Sequence, residues 1–250
     1  MTRILLLGGT TEASRLARSL AAAEMDAVFS YAGRTDAPVA QPLPTRIGGF
    51  GGVDGLMRYL DTGGISHVVD ATHPFAAQIS QNAIAACTAM HIPLIALERP
   101  AWHPQTGDKW HSVPSIDAAV QALPDQPARV FLAIGKQNLT AFAAKPQHHY
   151  LLRLVDPPTA PLPLPQADVV LARGPFDVAG DTALMHQNQI SHVVAKNAGG
   201  LGAAAKLTAA RALGVPVILI DRPTLAARQV VHSEEDVMGW LRHGATERGV

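Results

Sequence analysis

Short runs of leucine and β-branched residues alternate along this chain with alanine-rich stretches of helical period. That alternation is the signature of parallel strands joined by crossover helices. In the first half it predicts strands near 3–7, 27–31, 45–47, 67–70 and 93–97, with helices near 11–23, 53–61 and 76–90. The second half repeats the scheme, with strands near 129–134, 149–154, 169–172, 191–195 and 216–220 and helices near 137–144, 177–188 and 203–213. Some of the repetition is literal. Ile65-Ser66-His67-Val68-Val69 recurs as Ile190-Ser191-His192-Val193-Val194, and Ile92-Pro93-Leu94-Ile95-Ala96-Leu97-Glu98-Arg99-Pro100 is matched by Val215-Pro216-Val217-Ile218-Leu219-Ile220-Asp221-Arg222-Pro223. Two matches in the same order, at spacings that differ by two residues, argue for a duplicated unit.

The expected fold is therefore α/β: two similar doubly wound parallel-sheet domains, Rossmann-like or flavodoxin-like, facing across a cleft, with ligand loops at the carboxyl ends of the strands. Trp102 to Pro114, polar and without periodicity, reads as the linker, which places the domains at 1–111 and 112–250. A second irregular stretch, Asp156 to Gln166, carries five prolines and reads as a lid or surface loop. Each Arg-Pro block is followed by a serine-initiated helix, at Ser115 and at Ser233. The last of these, 234–243, could pack on its own domain or return to the first.

Composition narrows the function classes. A 250-residue chain that is 48% hydrophobic and 16% charged has ample core for two such domains. Zero formal net charge gives no argument for nucleic acid or an acidic membrane surface. The chain opens on a strand-like run without a signal-peptide pattern, and it contains no apolar run near the roughly 18 residues a membrane span needs, so the expectation is a cytoplasmic enzyme or binding protein. Cys87 is the single cysteine and sits in an alanine-rich helical pattern, as a small buried apolar residue would. Serine-hydrolase elbows, phosphate-loop motifs and zinc spacings are missing, and the histidines are scattered, so no metal is assigned.

Chemistry concentrates at the predicted strand ends. Gly8-Gly9-Thr10-Thr11 runs straight into a helix, where glycine backbone and helix N-terminus suit a phosphate; a tight strand-to-helix turn would need the same residues. About 20 residues on, where a fold of this kind carries an acidic residue if it binds NAD, the chain has Ser30 and Arg34, a pair suited to a ribose 2′-phosphate and hence to NADP. Arg34 as an ordinary loop cation is the alternative. Gly48-Gly49-Phe50-Gly51-Gly52 follows the third strand and is either a place of close backbone approach to the cofactor or a hinge. Asp70-Ala71-Thr72-His73-Pro74-Phe75 follows the fourth; Thr72 or His73 could cap the next helix, and both could meet ligand, His73 as a proton donor.

The second half presents cations at the corresponding ends: Lys136, Arg153, Arg173, then Lys196-Asn197-Ala198-Gly199-Gly200, with Lys206 in the next helix. In a chain of zero net charge this clustering suggests a ligand with several negative groups, although any one of these residues alone would read as a solvated cation.

With these motifs in view the chain resembles the precorrin-6A reductases, the NADPH-dependent reductases of corrin-ring (cobalamin) biosynthesis. The resemblance is carried by Leu7-Gly8-Gly9-Thr10-x-Glu12-Ala13, Asp70-Ala71-Thr72-His73-Pro74-Phe75-Ala76, Arg173-Gly174-Pro175-Phe176, Lys196-Asn197-x-Gly199-Gly200 and Arg222-Pro223, in that order. It implies hydride transfer from NADPH to one double bond of a tetrapyrrole, with other enzymes of the same pathway as neighbours. Its polycarboxylate substrate would meet Lys136, Arg153, Arg173, Lys196, Asn197, Gly199, Gly200 and Lys206. A cobalt-containing substrate with either nicotinamide, another NADP-dependent oxidoreductase on the same frame, and a nucleotide-responsive binding protein are the rival readings.

Overall fold

The structure, a computed structural model, describes residues 2–33 and 39–246. The chain divides into two compact units, Met1–Pro100 with Thr224–Val250, and Ala101–Pro223. The first unit begins β1 (Arg3–Leu7), α1 (Thr11–Ala22), β2 (Asp26–Tyr31), β3 (Thr45–Ile47), α2 (Gly52–Thr62), β4 (His67–Asp70), α3 (Ala77–Met90) and β5 (Leu94–Leu97). The second comprises β6 (Trp110–Val113), α4 (Ile116–Gln121), β7 (Arg129–Ala133), a 3-10 segment over Lys136–Ala144, β8 (His149–Leu154), β9 (Ala167–Leu171), α5 (Val178–Gln187), β10 (His192–Lys196), α6 (Ala205–Leu213) and β11 (Val217–Ile220). The chain then returns to the first unit with β12 (Gln229–Val231) and α7 (Glu234–Thr246).

Each unit holds one six-stranded, wholly parallel sheet, ordered β12-β5-β4-β1-β2-β3 in the first and β6-β11-β10-β7-β8-β9 in the second. The strand order of each sheet reverses at one place, between β1 and β4 in the first and between β7 and β10 in the second. In doubly wound sheets that switch point is where a ligand crevice opens.

Burial explains the strand runs. Ile4 to Leu7 and the whole of β4 are buried because helices cover both faces of the sheet. One face packs α1 residues Ala13, Leu16, Ala17 and Leu20, spaced three and four apart, together with Val237, Met238 and Leu241 of α7, onto Ile4, Leu6, Phe29, Val69 and Ile95. The other packs Leu56 and Leu60 of α2 and Ala83, Ala86 and Cys87 of α3 onto Leu5, Leu7 and Val68. In the second unit Phe131, Leu151, Val193 and Val217 lie under Met185 of α5 and Leu207, Ala209 and Ala210 of α6. Each fully buried leucine contributes about 1.5–3 kcal/mol.

The repeated Ile-Ser-His-Val-Val segment has a structural cause. Ser66 Oγ accepts the Arg3 N–H at 2.9 Å and donates to Arg3 O at 3.2 Å, and the Ser66 N–H donates to that same carbonyl at 2.9 Å. Ser191 does the same to Arg129, with 3.3, 3.3 and 2.9 Å. Each serine staples the approach to β4 or β10 to the start of its sheet neighbour, β1 or β7. Such a clamp sets the register of the central strand pair.

Two expectations change, and the open placement of the last helix is decided. The linker proposed over Trp102–Pro114 belongs to the second unit: Asn197 brackets the Trp102 backbone, and β6 pairs with β11. The boundary therefore falls after Pro100 rather than at 111, and again after Pro223. Edge strands β6 and β12 have no long apolar run to betray them, since each pairs on one side only. α7 packs on α1 and β5 of the first unit, where Arg15 Nε lies 2.7 Å from Glu234. Finally, the helix expected over 137–144 is a 3-10 segment with non-helical backbone at Asn138. Among the described residues no helix is long and apolar enough to cross a membrane.

Candidate active site

In the first unit the loops after β1, β3 and β4 gather at the carboxyl edge of one sheet. A side chain at Gly8 would collide with the buried Phe29 ring, its Cβ falling 2.1 Å from Phe29 Cζ, so only glycine permits this close approach. Gly9 sits at φ 123°, a backbone state that side chains disfavour, and a Cβ there would meet nothing within 4 Å. Thr10 caps α1, its Oγ accepting the Ala13 N–H at 3.1 Å while donating to Ala71 O at 2.8 Å across the switch point. Thr11 opens the helix, whose first-turn N–H groups and positive dipole end lie at this loop. Glu12 also lies in that turn, where its charge would repel an anion, but Arg99 Nη1 stands 3.3 Å from its carboxylate.

Gly48, Gly49 and Gly51 likewise face open space, and a Cβ added to any of them would meet no atom within 4 Å. Together with Gly9 they form a rim of exposed backbone that added side chains would fill; the Gly48 N–H is spent on Tyr31 O at 2.9 Å, and the rim fits a dinucleotide through the close backbone approach it allows. Ser30 is buried at the end of β2, next to this rim, with no acidic residue beside it in its strand. Arg34 lies outside the described residues.

Arg46 was not singled out from the sequence, yet it is central here. The parallel register of β2 and β3 pairs it with Ser30. Its Nη1 donates to Ser30 Oγ at 2.8 Å and to Gly48 O at 2.9 Å, its Nη2 donates to Gly49 O at 3.0 Å, and its guanidinium carbon lies 3.9 Å from the centroid of the Phe50 ring. Burial lowers its pKa, with Tyr59 opposing. The signal that could have found it is a lone arginine in a three-residue edge strand, which gains meaning only once the register is known.

The loop after β4 departs from the capping role proposed for it. Ala76, without a side-chain bond, caps α3, and Thr72 instead gives both its N–H and its Oγ–H to Asp70 Oδ1, at 3.2 and 2.7 Å. Asp70 is held in turn by Arg228, at 2.8 Å, which also binds Glu98. His73 Nδ1 accepts the Phe75 N–H at 3.2 Å, which leaves the ring proton of the neutral form on Nε2. Cys87, behind this loop in α3, has its pKa pushed up to about 12 by burial and by the charge of Asp70, and is an inert thiol at neutral pH.

In the second unit the eight residues expected as substrate contacts divide. Lys136 and Arg173 are exposed, Arg173 lying 3.9 Å from Asp156. Lys196, half-buried at the end of β10, donates to Asn138 Oδ1 at 3.0 Å across the switch point. Arg153 is turned inward: it pairs with the buried Asp181 and stacks 3.8 Å from the Phe176 centroid and 4.9 Å from that of Phe131. Lys206 is 5% exposed, with its Nζ on Ala203 O and 4.9 Å from the Trp102 ring centroid. Asn197 spends its amide on the Trp102 backbone, and Gly200 O accepts from the Trp102 indole at 2.8 Å, while Gly199 and Gly200 adopt φ of 70° and 74°. Asn197, Gly200 and Lys206 thus shape the loop around Trp102, Lys136 and Arg173 are exposed, and Lys196 stays half-buried on Asn138.

A solved structure described as "CobK precorrin-6A reductase" superposes with a TM-score of 0.94 at 68% identity, each chain covered completely. The precorrin-6A reductase of Rhodobacter capsulatus is 68% identical over 251 residues, covering 100% of both chains, and that of Mycobacterium tuberculosis is 41% identical over 227 residues, covering 91% of each. A cobalt-precorrin-6A reductase of Priestia megaterium is 30% identical over 94% of this chain and 96% of its own. The family model described as precorrin-6x reductase CbiJ/CobK matches residues 3–242, and the chain belongs to that family.

Proposed function

We propose that the protein reduces precorrin-6A with NADPH, the first unit carrying the nucleotide and the second the carboxylate-rich macrocycle. The observation that carries the reading is the rim of open backbone at Gly9, Gly48, Gly49 and Gly51 beside Ser30, which runs along the carboxyl edge of the first sheet from β1 to its edge strand β3. Bound NADPH supplies a hydride to one carbon of the substrate's conjugated ring, while the neighbouring carbon takes a proton. Gly9, Thr10 and Thr11 would hold the phosphates through backbone N–H groups, Gly8 allowing the close approach while its own N–H stays on Ser30 O at 3.0 Å, with Phe50 and Thr72 bordering the same loops. Ser30 and Arg34, with no carboxylate beside Ser30, favour a 2′-phosphate over a bare ribose.

His73 is the side chain of the switch-point loop suited to deliver the proton, from Nε2. On the second unit Lys136, Arg173 and Lys196 would meet substrate carboxylates, with Gly199 and Gly200 letting the backbone come close. Catalysis is then largely positioning. The metal-free substrate is favoured by 68% identity to a precorrin-6A reductase against 30% to a cobalt-precorrin-6A reductase.

The test is nicotinamide absorbance with precorrin-6A supplied by its preceding enzymes. Tetrapyrrole-dependent NADPH oxidation, with a product two hydrogens heavier, is expected. NADPH binding without turnover, or turnover only with the cobalt-containing ring, would refute the assignment.

A further inference from the structure

Buried or half-buried arginines in this protein mostly meet carboxylates. Arg99 faces Glu12, Arg153 faces Asp181, Arg211 faces Asp108, and Arg228 faces Asp70 and Glu98. Arg46 is different. Its hydrogen bonds go to one hydroxyl and two backbone carbonyls, and among the described residues no carboxylate lies within ion-pair distance. A partly desolvated guanidinium with only neutral acceptors keeps its positive charge uncompensated, which favours the approach of an anion.

The fork is also rigidly aimed. Three donated hydrogen bonds and the stack on Phe50, whose ring meets Tyr59 edge-on at 5.1 Å, fix the guanidinium plane at the mouth of the glycine loop. Those bonds use three of the five N–H donors that the side chain carries, so the fork keeps donors for a further acceptor. Its neighbour Ser30 occupies the end of β2, where a dinucleotide-binding sheet reads the ribose.

We infer that Arg46 is the residue that distinguishes NADPH from NADH, by binding the 2′-phosphate as an already positioned fork with Ser30 at its side. This rests on the proposal that the first unit binds a nicotinamide dinucleotide. It goes beyond that proposal by moving the discrimination from a loop cation to a strand residue held in place before any nucleotide arrives. Lysine could not replace it, since a point charge cannot hold Ser30, Gly48 and Gly49 while also binding phosphate.

The experiment is titration calorimetry of the full chain with NADPH, NADH, 2′,5′-ADP and 5′-AMP, for wild type, Arg46→Met and Arg46→Lys, with circular dichroism to verify folding. Wild type should bind NADPH over NADH, and 2′,5′-ADP over 5′-AMP, by about 10- to 100-fold, the ratio expected for charge-assisted hydrogen bonds to one phosphate. Arg46→Met should bring both ratios close to one with NADH affinity held within about threefold, and Arg46→Lys should recover only part of the loss. Three results overturn the inference. If Arg46→Met keeps the wild-type ratios, another residue reads the phosphate. If affinity for NADPH and NADH falls equally, Arg46 merely supports the glycine loop. If wild type binds neither nicotinamide, the inference falls together with the nucleotide reading itself.

Discussion

Arg153, expected from the sequence as a substrate cation, is paired in the structure with Asp181. The two side chains are 8% and 4% exposed, so both charges have been taken out of water and each depends on the other. Removing one partner from such a pair costs about 3–5 kcal/mol because the survivor is stranded, whereas replacing both with apolar residues of similar size is close to neutral. Arg153 additionally stacks on Phe176, a contact worth up to about 2 kcal/mol where desolvated. Arg153→Met and Asp181→Leu should therefore each destabilise the second unit by about 3–5 kcal/mol, and the double variant by no more than about 2 kcal/mol.

Urea unfolding followed by tryptophan fluorescence can isolate that unit. Trp102 and Trp110 lie in it, so a Trp240→Phe background silences the first unit, the chain having three tryptophans in all. Additive costs in the double variant would refute the pairing argument. Turnover gives the functional half: with its pair removed as a unit, the enzyme should keep its tetrapyrrole KM within about threefold, and a rise of about tenfold or more would mean that Arg153 touches substrate after all.

Four further outcomes follow from the geometry. Gly8→Ala drives a Cβ into the Phe29 ring and should cost the first unit at least about 1–3 kcal/mol, with Phe29→Leu relieving part of it; strict additivity in the melting of the double variant would contradict the overlap. His148 is fully buried, its Nδ1 accepts the Ala128 N–H, and burial, then Lys145 and His192, lower its pKa. Its folded pKa lies below the unfolded value of about 6.5, so stability is whole above that pH and declines as pH falls through it. His148→Gln should flatten the decline in urea midpoint between about pH 7.5 and 5.5, leaving the share due to His192, and an unchanged slope would exclude His148 as its source. Cys87 should resist iodoacetamide in the native protein and label promptly in urea; rapid native labelling would disprove its burial. Arg228→Met strands Asp70 and Glu98 and should destabilise the first unit by about 3–5 kcal/mol, measured by urea with Trp240 as the probe, and Arg228→Lys should rescue little, since one ammonium cannot span both carboxylates with the same fork.

Most of this frame is legible in the sequence because buried parallel strands must be continuous apolar runs, and the central strands of both sheets are. The two that escaped, β6 and β12, are edge strands of four and three residues, whose short polar sequences satisfy only one neighbour. Missing them moved the domain boundary, although the repeat itself carries it. Arg99-Pro100 and Arg222-Pro223 end the matching blocks, and those prolines are where the chain crosses from one unit to the other. Glu98 N–H then binds Val231 O, and Asp221 N–H binds Val113 O, at 2.9 and 2.8 Å, so each unit closes its sheet with a strand from beyond the crossing. Site chemistry was less legible for a different reason. Whether a cation faces outward depends on pairings distant in sequence, Arg153 with Asp181 or Arg46 with Ser30, and no local pattern encodes them.

The clamps Arg3–Ser66 and Arg129–Ser191 put the two units in register, and that register separates what duplication had to keep from what it could change. Leu7 corresponds to Ala133, Gly9 to Gly135, and Thr10, the cap that bridges to Ala71, to Lys136. Along β4 and β10, Asp70 corresponds to Ala195 and Ala71 to Lys196, so an acidic end bound by Arg228 became a basic end bound to Asn138. Along β2 and β8, Ser30 corresponds to Arg153, each one residue short of its strand's end. Residues that staple strands at their amino ends, the serine and histidine of the repeated segment, are unchanged, because altering them would shift the register of a whole buried sheet. Those at the carboxyl ends lie in the last strand residues and the loops that follow, and there the two copies differ in charge while each sheet keeps its strand order. One frame could therefore acquire an open glycine rim in one copy and outward cations in the other while both sheets kept the same packing.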